Sequence, residues 1–169
     1  CGILTIAEKW EHYAKHSISN HTVDYLSEKY PIQLTDDNFF INGALLPDEE
    51  LFNTIRKIPL GTALVDEHRR LLAARLPHIS DLATILTTAT ALYTYTGVVQ
   101  RIEHPWHIFQ KNAQEIKADF QLLTKGRTSA AITDEATVVY QEENVFIAEG
   151  AKIKAAVLNA ENGPIYIGK

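Results

Sequence analysis

Residues 147–169 read IAEGAK, IKAAVL, NAENGP, IYIGK, and this stretch places Ile147, Ile153 and Ile165 on a six-residue grid. A period of six belongs to β-helices. Each six-residue unit there supplies one short face of a triangular coil, with an aliphatic residue pointing into a narrow core and a small one at the corner. Ala151 and Val157 fall at the fifth position of their units, Asn159 interrupts the aliphatic row, and Ile167-Gly168 opens a second, offset register. Ordinary β-strands also alternate isoleucine with small residues, so two readings stand, and the strict spacing favours the coil. A coil covers its faces only by stacking on neighbours, and about three repeats are needed for stability. The chain therefore reads as cut short after Lys169, while the start at Cys1 and the absence of methionine leave the other end open.

Composition restricts the classes of function. The 169 residues are 46% hydrophobic and 22% charged, with a formal net charge of −5. The densest positive cluster is only His68-Arg69-Arg70, far short of the basic surface that nucleic-acid binding requires. No apolar run approaches the ~20 residues of a membrane span. The single cysteine excludes an internal disulfide framework and any multi-cysteine metal site. A soluble protein of the reducing cytoplasm is the expectation.

The text alternates helices and short strands up to about residue 125 and is β-only beyond it. Thr5-Ile-Ala-Glu8 has the form of a capping box, and Ile6, Trp10 and Tyr13 follow at helical spacing, which predicts a helix over 6–16. Val23, Leu26 and Tyr30 suggest a second helix ended by Pro31. Phe39-Phe40-Ile41 reads as a buried strand stopped by Asn42-Gly43. Pro47-Asp48 opens a helix bearing Leu51, Ile55 and Ile58 and stopped at Pro59. Strands are expected at 62–65, 70–76 and 97–102. Asp81 to Tyr93 carries Leu82, Ile85, Leu86, Ala89 and Leu92 at helical spacing and reads as helix, against four threonines that weaken helix propensity. From Trp106 to Thr124, Phe109, Ala113, Ile116, Phe120 and Leu123 form one apolar seam, with Pro105 in the first turn and Gly126 at the C-terminal cap. That helix reads as the connector between two domains, 1–125 and 126–169.

Candidate functional residues are few. A strand ending in Asn42-Gly43 suits ligand binding if it lies at the carboxyl edge of a parallel sheet; a tight turn explains it as well. Arg75, at the end of LLAARLP, can meet a phosphate bidentately or form a surface ion pair; Arg101 and Arg70 rank below it. Glu8, His12 and His16 share a helical face, but zinc sites usually need further protein ligands and a solvated helix face explains them. Trp106, in His104-Pro105-Trp106-His107, suits packing at the domain junction better than stacking on a base. Gly126-Arg127-Thr128-Ser129 lacks the spaced glycine and lysine of a phosphate loop, and Cys1 is a poor nucleophile candidate. No metal ligand and no catalytic residue is assigned from the residues.

The segments GILTIAEKW, INGALLP, LLAARLP, HPWHIFQKNAQEIKADF and LNAENGPIYIGK together resemble the GlmU-like family of sugar nucleotidyltransferases of Bacteroidetes-type bacteria, over nearly the whole chain. The resemblance implies an α/β fold: a Rossmann-like nucleotidyltransferase domain in 1–125, followed in 126–169 by the start of a left-handed parallel β-helix of hexapeptide repeats. It implies transfer of a nucleotidyl group from a nucleoside triphosphate to a sugar 1-phosphate, with release of pyrophosphate and with Mg2+ balancing phosphate charge. Substrate contacts then fall on Asn42 and Gly43, with Arg75 and Asn112 as lesser candidates. The aspartate that such enzymes use for the metal would fall on Ala44, which cannot ligate magnesium; either Asp36, Asp37 or Asp48 substitutes, or the site is degenerate. The family's TRP-[VL]-AEIR stretch before GILT is not in this sequence. Two alternatives remain: a hexapeptide-repeat acyltransferase acting on a sugar or nucleotide sugar, and a degenerate assembly protein. The implied β-helix makes a homotrimer the expected oligomer.

Overall fold

The computed structural model describes residues 1–77 and 82–169. In chain order its elements are helices α1 (Ile6–Ala14) and α2 (Asp24–Ser27), strands β1 (Asn38–Ile41) and β2 (Leu45–Leu46), helix α3 (Glu49–Ile55), strands β3 (Thr62–Val65) and β4 (Leu71–Leu76), and helix α4 (Ile85–Thr88). Strands β5 (Ala91–Thr94) and β6 (Gln100–Arg101), helix α5 (Pro105–Thr124), and strands β7 (Val138–Tyr140), β8 (Val145–Ile147), β9 (Val157–Asn159) and β10 (Ile165–Ile167) complete it. These elements fall into two compact units: Ile6–Glu103, and Cys1–Thr5 together with His104–Lys169. The class is mixed α/β.

In the unit Ile6–Glu103 a four-stranded sheet runs in the order β1-β4-β3-β5. Strand β4 pairs antiparallel with β1 and β3, and only β3 and β5 run parallel. One face of this unit's core gathers Trp10, Leu45, Leu51, Ile55, Ile58, Leu64, Leu72, Ala73 and Tyr95. Ala63, Ala74, Leu76 and Ile85 form a second cluster. Ala63 and Leu64 of β3 thus serve opposite faces, as the pleat requires, whereas the adjacent Leu72 and Ala73 of β4 both join the first cluster where the β3–β4 register shifts. Burying each of the large aliphatic side chains stabilises by roughly 1.5–3 kcal/mol. Trp10 joins the core with its polar edge satisfied, since Nε1 donates to the Leu45 carbonyl at 3.1 Å. Helix α3 starts where Asp48 accepts from the Leu51 amide at 2.8 Å, and it buries Leu51 and Ile55 on one face.

Several sequence expectations change here. Helix α1 stops at Ala14 because Lys15 turns to a left-handed φ of 62°. His12 and His16 therefore do not share a helix, and the metal face does not form. Helix α2 is a single turn. Phe39 is 42% exposed, not buried. Asp81, at the start of the expected 81–93 helix, lies outside the described residues; beyond it only the single turn α4 is α-helical before the chain becomes strand β5. Thr90 donates its amide and its hydroxyl to the Gly61 carbonyl, and β5 then zips onto β3. Threonines favour that pleated ladder over a helix. The 97–102 strand shortens to β6, which pairs with β2, a two-residue strand not foreseen in the INGALLP text.

In the other unit the 20-residue α5 begins at Pro105 and ends at Thr124, with Gly126 at φ 73° just beyond it. The expected apolar seam is not the buried stripe: Phe109 is 71% exposed, and the buried residues are Glu115 and Asp119. Asp119 Oδ2 accepts from the Ile3 and Leu4 amides at 2.8 and 2.9 Å, and Asn112 Oδ1 accepts from the Gly2 amide at 2.8 Å. The helix spends its polar stripe on three backbone donors that would otherwise be unpaired. Gly2 is at φ 87°, and a Cβ there would collide with Asp119 Oδ2; only glycine fits.

Beyond α5, β7 pairs parallel with β9 and β8 pairs parallel with β10. The pairing residues stand nineteen positions apart in one ladder (138 to 157) and twenty in the other (145 to 165). Val145, Ile147 and Ala160 are buried between them, with Ala151, Ile153, Leu158, Ile165 and Ile167 packed alongside. The three isoleucines of the six-residue grid all point into this core, while Val157 is 69% exposed.

Candidate functional site

Asn42 and Gly43 occupy the turn between β1 and β2. Asn42 spends its whole side chain on that turn: Nδ2 donates to the Leu71 carbonyl at 3.1 Å and Oδ1 accepts from the Ala44 amide at 3.0 Å. Its own amide donates to the Leu72 carbonyl, and its carbonyl accepts from the Leu45 amide. Strand β1 is antiparallel to its neighbour, so this turn is not the carboxyl edge of a parallel pair. Gly43 is not among the glycines with positive φ, and a Cβ there would meet nothing within 4 Å. Glycine's freedom is not what the turn uses.

Arg75 lies toward the other end of the same ladder, paired with Phe39. Its Nε and Nη2 donate to the two carboxylate oxygens of Asp37 at 2.9 and 2.7 Å, Nη1 donates to the Ile58 carbonyl, and the guanidinium sits 5.1 Å from the Phe39 ring centroid. Hydrogen bonding to Arg75 lowers the Asp37 pKa, and the same bonds raise that of Arg75. Asn112 belongs to the other unit and holds the Gly2 amide. Within the unit Ile6–Glu103, Asn42 and Gly43 follow one end of the β1–β4 ladder and Arg75 lies toward the other, while Asn112 clamps the N-terminal segment within its own unit.

Of the three aspartates that could replace a magnesium ligand at Ala44, Asp36 is exposed and the other two have partners. Asp37 is committed to Arg75, Asp48 to the α3 cap, and Ala44 carries no donor side chain. Among the described residues no group of three histidine, cysteine, aspartate or glutamate side chains is placed to hold a metal ion.

Tight charge chemistry occurs elsewhere, at the β3–β4 hairpin. Asp66, immediately after β3, is 7% exposed. Its Oδ1 accepts from the His68 and Arg70 amides at 3.0 and 2.9 Å; its Oδ2 accepts from Arg70 Nε at 2.7 Å and Arg101 Nη2 at 2.9 Å. Glu103 joins both arginines, with Oε1 3.0 Å from Arg70 Nη1 and 3.6 Å from Arg101 Nη1. Burial pushes the Asp66 carboxyl up, but the backbone and side-chain hydrogen bonds from Arg70 outweigh it and the pKa ends below the ordinary value. The Arg101 side chain is 10% exposed and Glu103 is 42% exposed. Tyr95 continues the parallel β3/β5 register and donates its amide to the Val65 carbonyl, so it stands beside Asp66 at the carboxyl edge of that pair. Sequence reasoning ranked Arg70 and Arg101 below Arg75 and passed over Asp66 and Glu103. The available signal was the turn-forming charged run Asp66–Arg70 between two apolar strands.

At the start of α5, the His104 and Trp106 rings stack at 4.4 Å and His104 meets His107 edge-on at 5.1 Å. Trp106 is 50% exposed, so the indole is stacked on its neighbour and not packed in a core.

A mixed α/β unit with charged side chains at its strand ends is the class of protein these observations define. The family model described as sugar nucleotidyl transferase matches residues 1–128, and the chain belongs to that family. Membership gives it a sugar nucleotidyltransferase-like domain, with nucleotides and sugar phosphates as the substrate classes. No curated protein and no solved structure matches it. No helix of the described residues is long and apolar enough to cross a membrane.

Proposed function

We propose that this protein is a sugar-1-phosphate nucleotidyltransferase of the GlmU-like kind. In the reaction an oxygen of the sugar 1-phosphate forms a bond to the α-phosphorus of a nucleoside triphosphate. The bond from that phosphorus to the bridging oxygen breaks, and pyrophosphate leaves with the electron pair. The observation that carries the reading is the family match over residues 1–128. Catalysis of this type is mostly positioning and charge neutralisation on the phosphates. Magnesium belongs to the reading as the ion this reaction class uses, with no ligand in this chain assigned to it. Asn42 and Gly43 enter it as candidate substrate-binding residues, with Arg75 and Asn112 as lesser candidates. The setting is cytoplasmic.

The C-terminal segment 126–169 starts, in this reading, a left-handed β-helix of hexapeptide repeats that joins three copies. Two parallel ladders that close after nineteen and twenty residues, with Ile147, Ile153 and Ile165 inside, support it. The same observation keeps an acyltransferase on those coils as the second reading.

The test is pyrophosphate release with magnesium over a panel of nucleoside triphosphates crossed with sugar 1-phosphates, with Asn42→Ala beside the natural chain. Release from one pair, reduced in Asn42→Ala, is expected. No release from any pair, under conditions where a known uridylyltransferase is readily detected, overturns the reading for that panel.

A further inference from the structure

We propose that Arg70 and Arg101 form an anion subsite for a phosphate group, which the chain itself fills with the Glu103 carboxylate. The proposal names a phosphate subsite within the transferase reading and rests on that reading for the identity of the anion. Three observations carry it.

The two carboxylates differ in burial. Asp66 accepts four hydrogen bonds, two from backbone amides of its own turn and one from each guanidinium, and is buried. It is the fixed post that orients both arginines. Glu103 meets them from the solvent side, 42% exposed, with one oxygen facing the Nη1 groups of both. An oxygen shared between two guanidiniums is the geometry a phosphate oxygen adopts between paired arginines.

The charges also fit. With Glu103 withdrawn, Arg70, Arg101 and Asp66 leave one net positive charge, and the Arg101 side chain, 10% exposed, is poorly hydrated. A guanidinium in that position gains more from a phosphate oxygen than an exposed one does, because less screening intervenes. Location agrees as well. Asp66 follows β3 directly, and Tyr95 follows β5 beside it, which puts the cluster at the carboxyl edge of the one parallel pair in the sheet. Ligands of open α/β sheets bind outside that edge. Arg75, by contrast, faces the two oxygens of Asp37 bidentately and also donates to the Ile58 carbonyl.

Glu103 is then an internal competitor. Replacing it with glutamine removes the competing charge while keeping the shape, and Arg70→Gln removes half of the fork at an exposed position without unpairing Arg101 from Asp66. The measurement is titration calorimetry of the 169-residue chain with inorganic pyrophosphate at low ionic strength, with circular dichroism confirming the fold of each variant. Glu103→Gln is expected to bind pyrophosphate about tenfold more tightly and Arg70→Gln about tenfold more weakly, the range of one charge-assisted hydrogen bond. Unchanged affinity in folded Glu103→Gln, unchanged affinity in folded Arg70→Gln, or no binding to either the natural chain or Glu103→Gln overturns the proposal. The two readings fail separately. Pyrophosphate binding that follows the Glu103 and Arg70 variants, with no nucleotidyl transfer on the panel, removes the transferase reading and keeps the subsite. Transfer whose KM for the nucleoside triphosphate is unmoved by both variants does the reverse.

Discussion

Tyr95 offers the sharpest test of the packing described here. Its ring lies in the main core at 6% exposure, and its hydroxyl is buried with no hydrogen-bond partner among the described residues. Gly97 closes over the ring end so tightly that a Cβ there would collide with Cζ and Oη. A buried hydroxyl left without a partner costs about 1–3 kcal/mol. Tyr95→Phe removes that hydroxyl and keeps the ring, so the variant is expected to gain roughly 1 kcal/mol. For a chain of this size that corresponds to a rise in Tm of about 2–4 °C. The assay is a pair of thermal and urea melts at pH 7, repeated up to pH 11. Burial, with the Asp48 and Glu50 carboxylates adding to it, raises the Tyr95 pKa above its ordinary value of about 10. The unfolded chain then loses its phenolic proton before the folded one. The folded-state advantage is complete below about pH 10 and declines as pH rises beyond it. Tyr95→Phe is expected to lack that part of the alkaline decline. A loss of 1 kcal/mol or more in Tyr95→Phe at pH 7 would refute the reasoning, since it would mean that the hydroxyl makes a valuable hydrogen bond.

Three further outcomes follow from the same geometry. Gly2→Ala forces a side chain into a left-handed φ and against Asp119, and is expected to cost about 1–2 kcal/mol; hydrogen exchange at the Ile3 and Leu4 amides should speed up, and unaltered protection would contradict the clamp. Asp66→Asn removes the buried charge that both Arg70 and Arg101 face and is expected to cost about 3 kcal/mol in a urea melt. In the natural chain the lowered Asp66 pKa makes this contribution present above about pH 4 and lost as pH falls through the folded-state value, so the variant should show a shallower acid decline. Ile147→Ala, in the buried core between β7–β10, is expected to cost about 2–4 kcal/mol; a change below about 0.5 kcal/mol would deny the ladders a packed interior.

Legibility followed the range of the interactions. Asp48 before an apolar i, i+4 pair gave α3, Pro105 and Gly126 bracketed α5, and the six-residue grid marked the residues that face the C-terminal core, because each rests on neighbours a few positions apart. The 81–93 stretch misled because Ile85, Leu86, Ala89 and Leu92 satisfy a helical period, while the threonines satisfy a strand equally well. The partner strand β3, about thirty residues away, settled it. The apolar seam of α5 misled differently: a helix shows which residues share a face, but not which face is covered. Here Asn112 and Asp119 are claimed by amides more than a hundred positions distant.

The candidate site divides the same way. Asn42 and Arg75 stood out as polar residues next to apolar strands, yet the first ties its own turn and the second is spent on Asp37. Asp66, Arg70, Arg101 and Glu103 looked ordinary in the text because a guanidinium's worth depends on what faces it, and Asp66 and Arg101 are 35 residues apart. What the sequence alone determined is the α/β class, the long helix, the turn chemistry and the six-residue spacing of the isoleucines that face the C-terminal core, all encoded by local spacing and backbone stereochemistry. The tertiary structure alone decided the mixed strand order, the buried polar stripe of α5 and the arginine pair at the β3/β5 edge. Those depend on free energies of contact and desolvation between residues that the chain brings together only by folding.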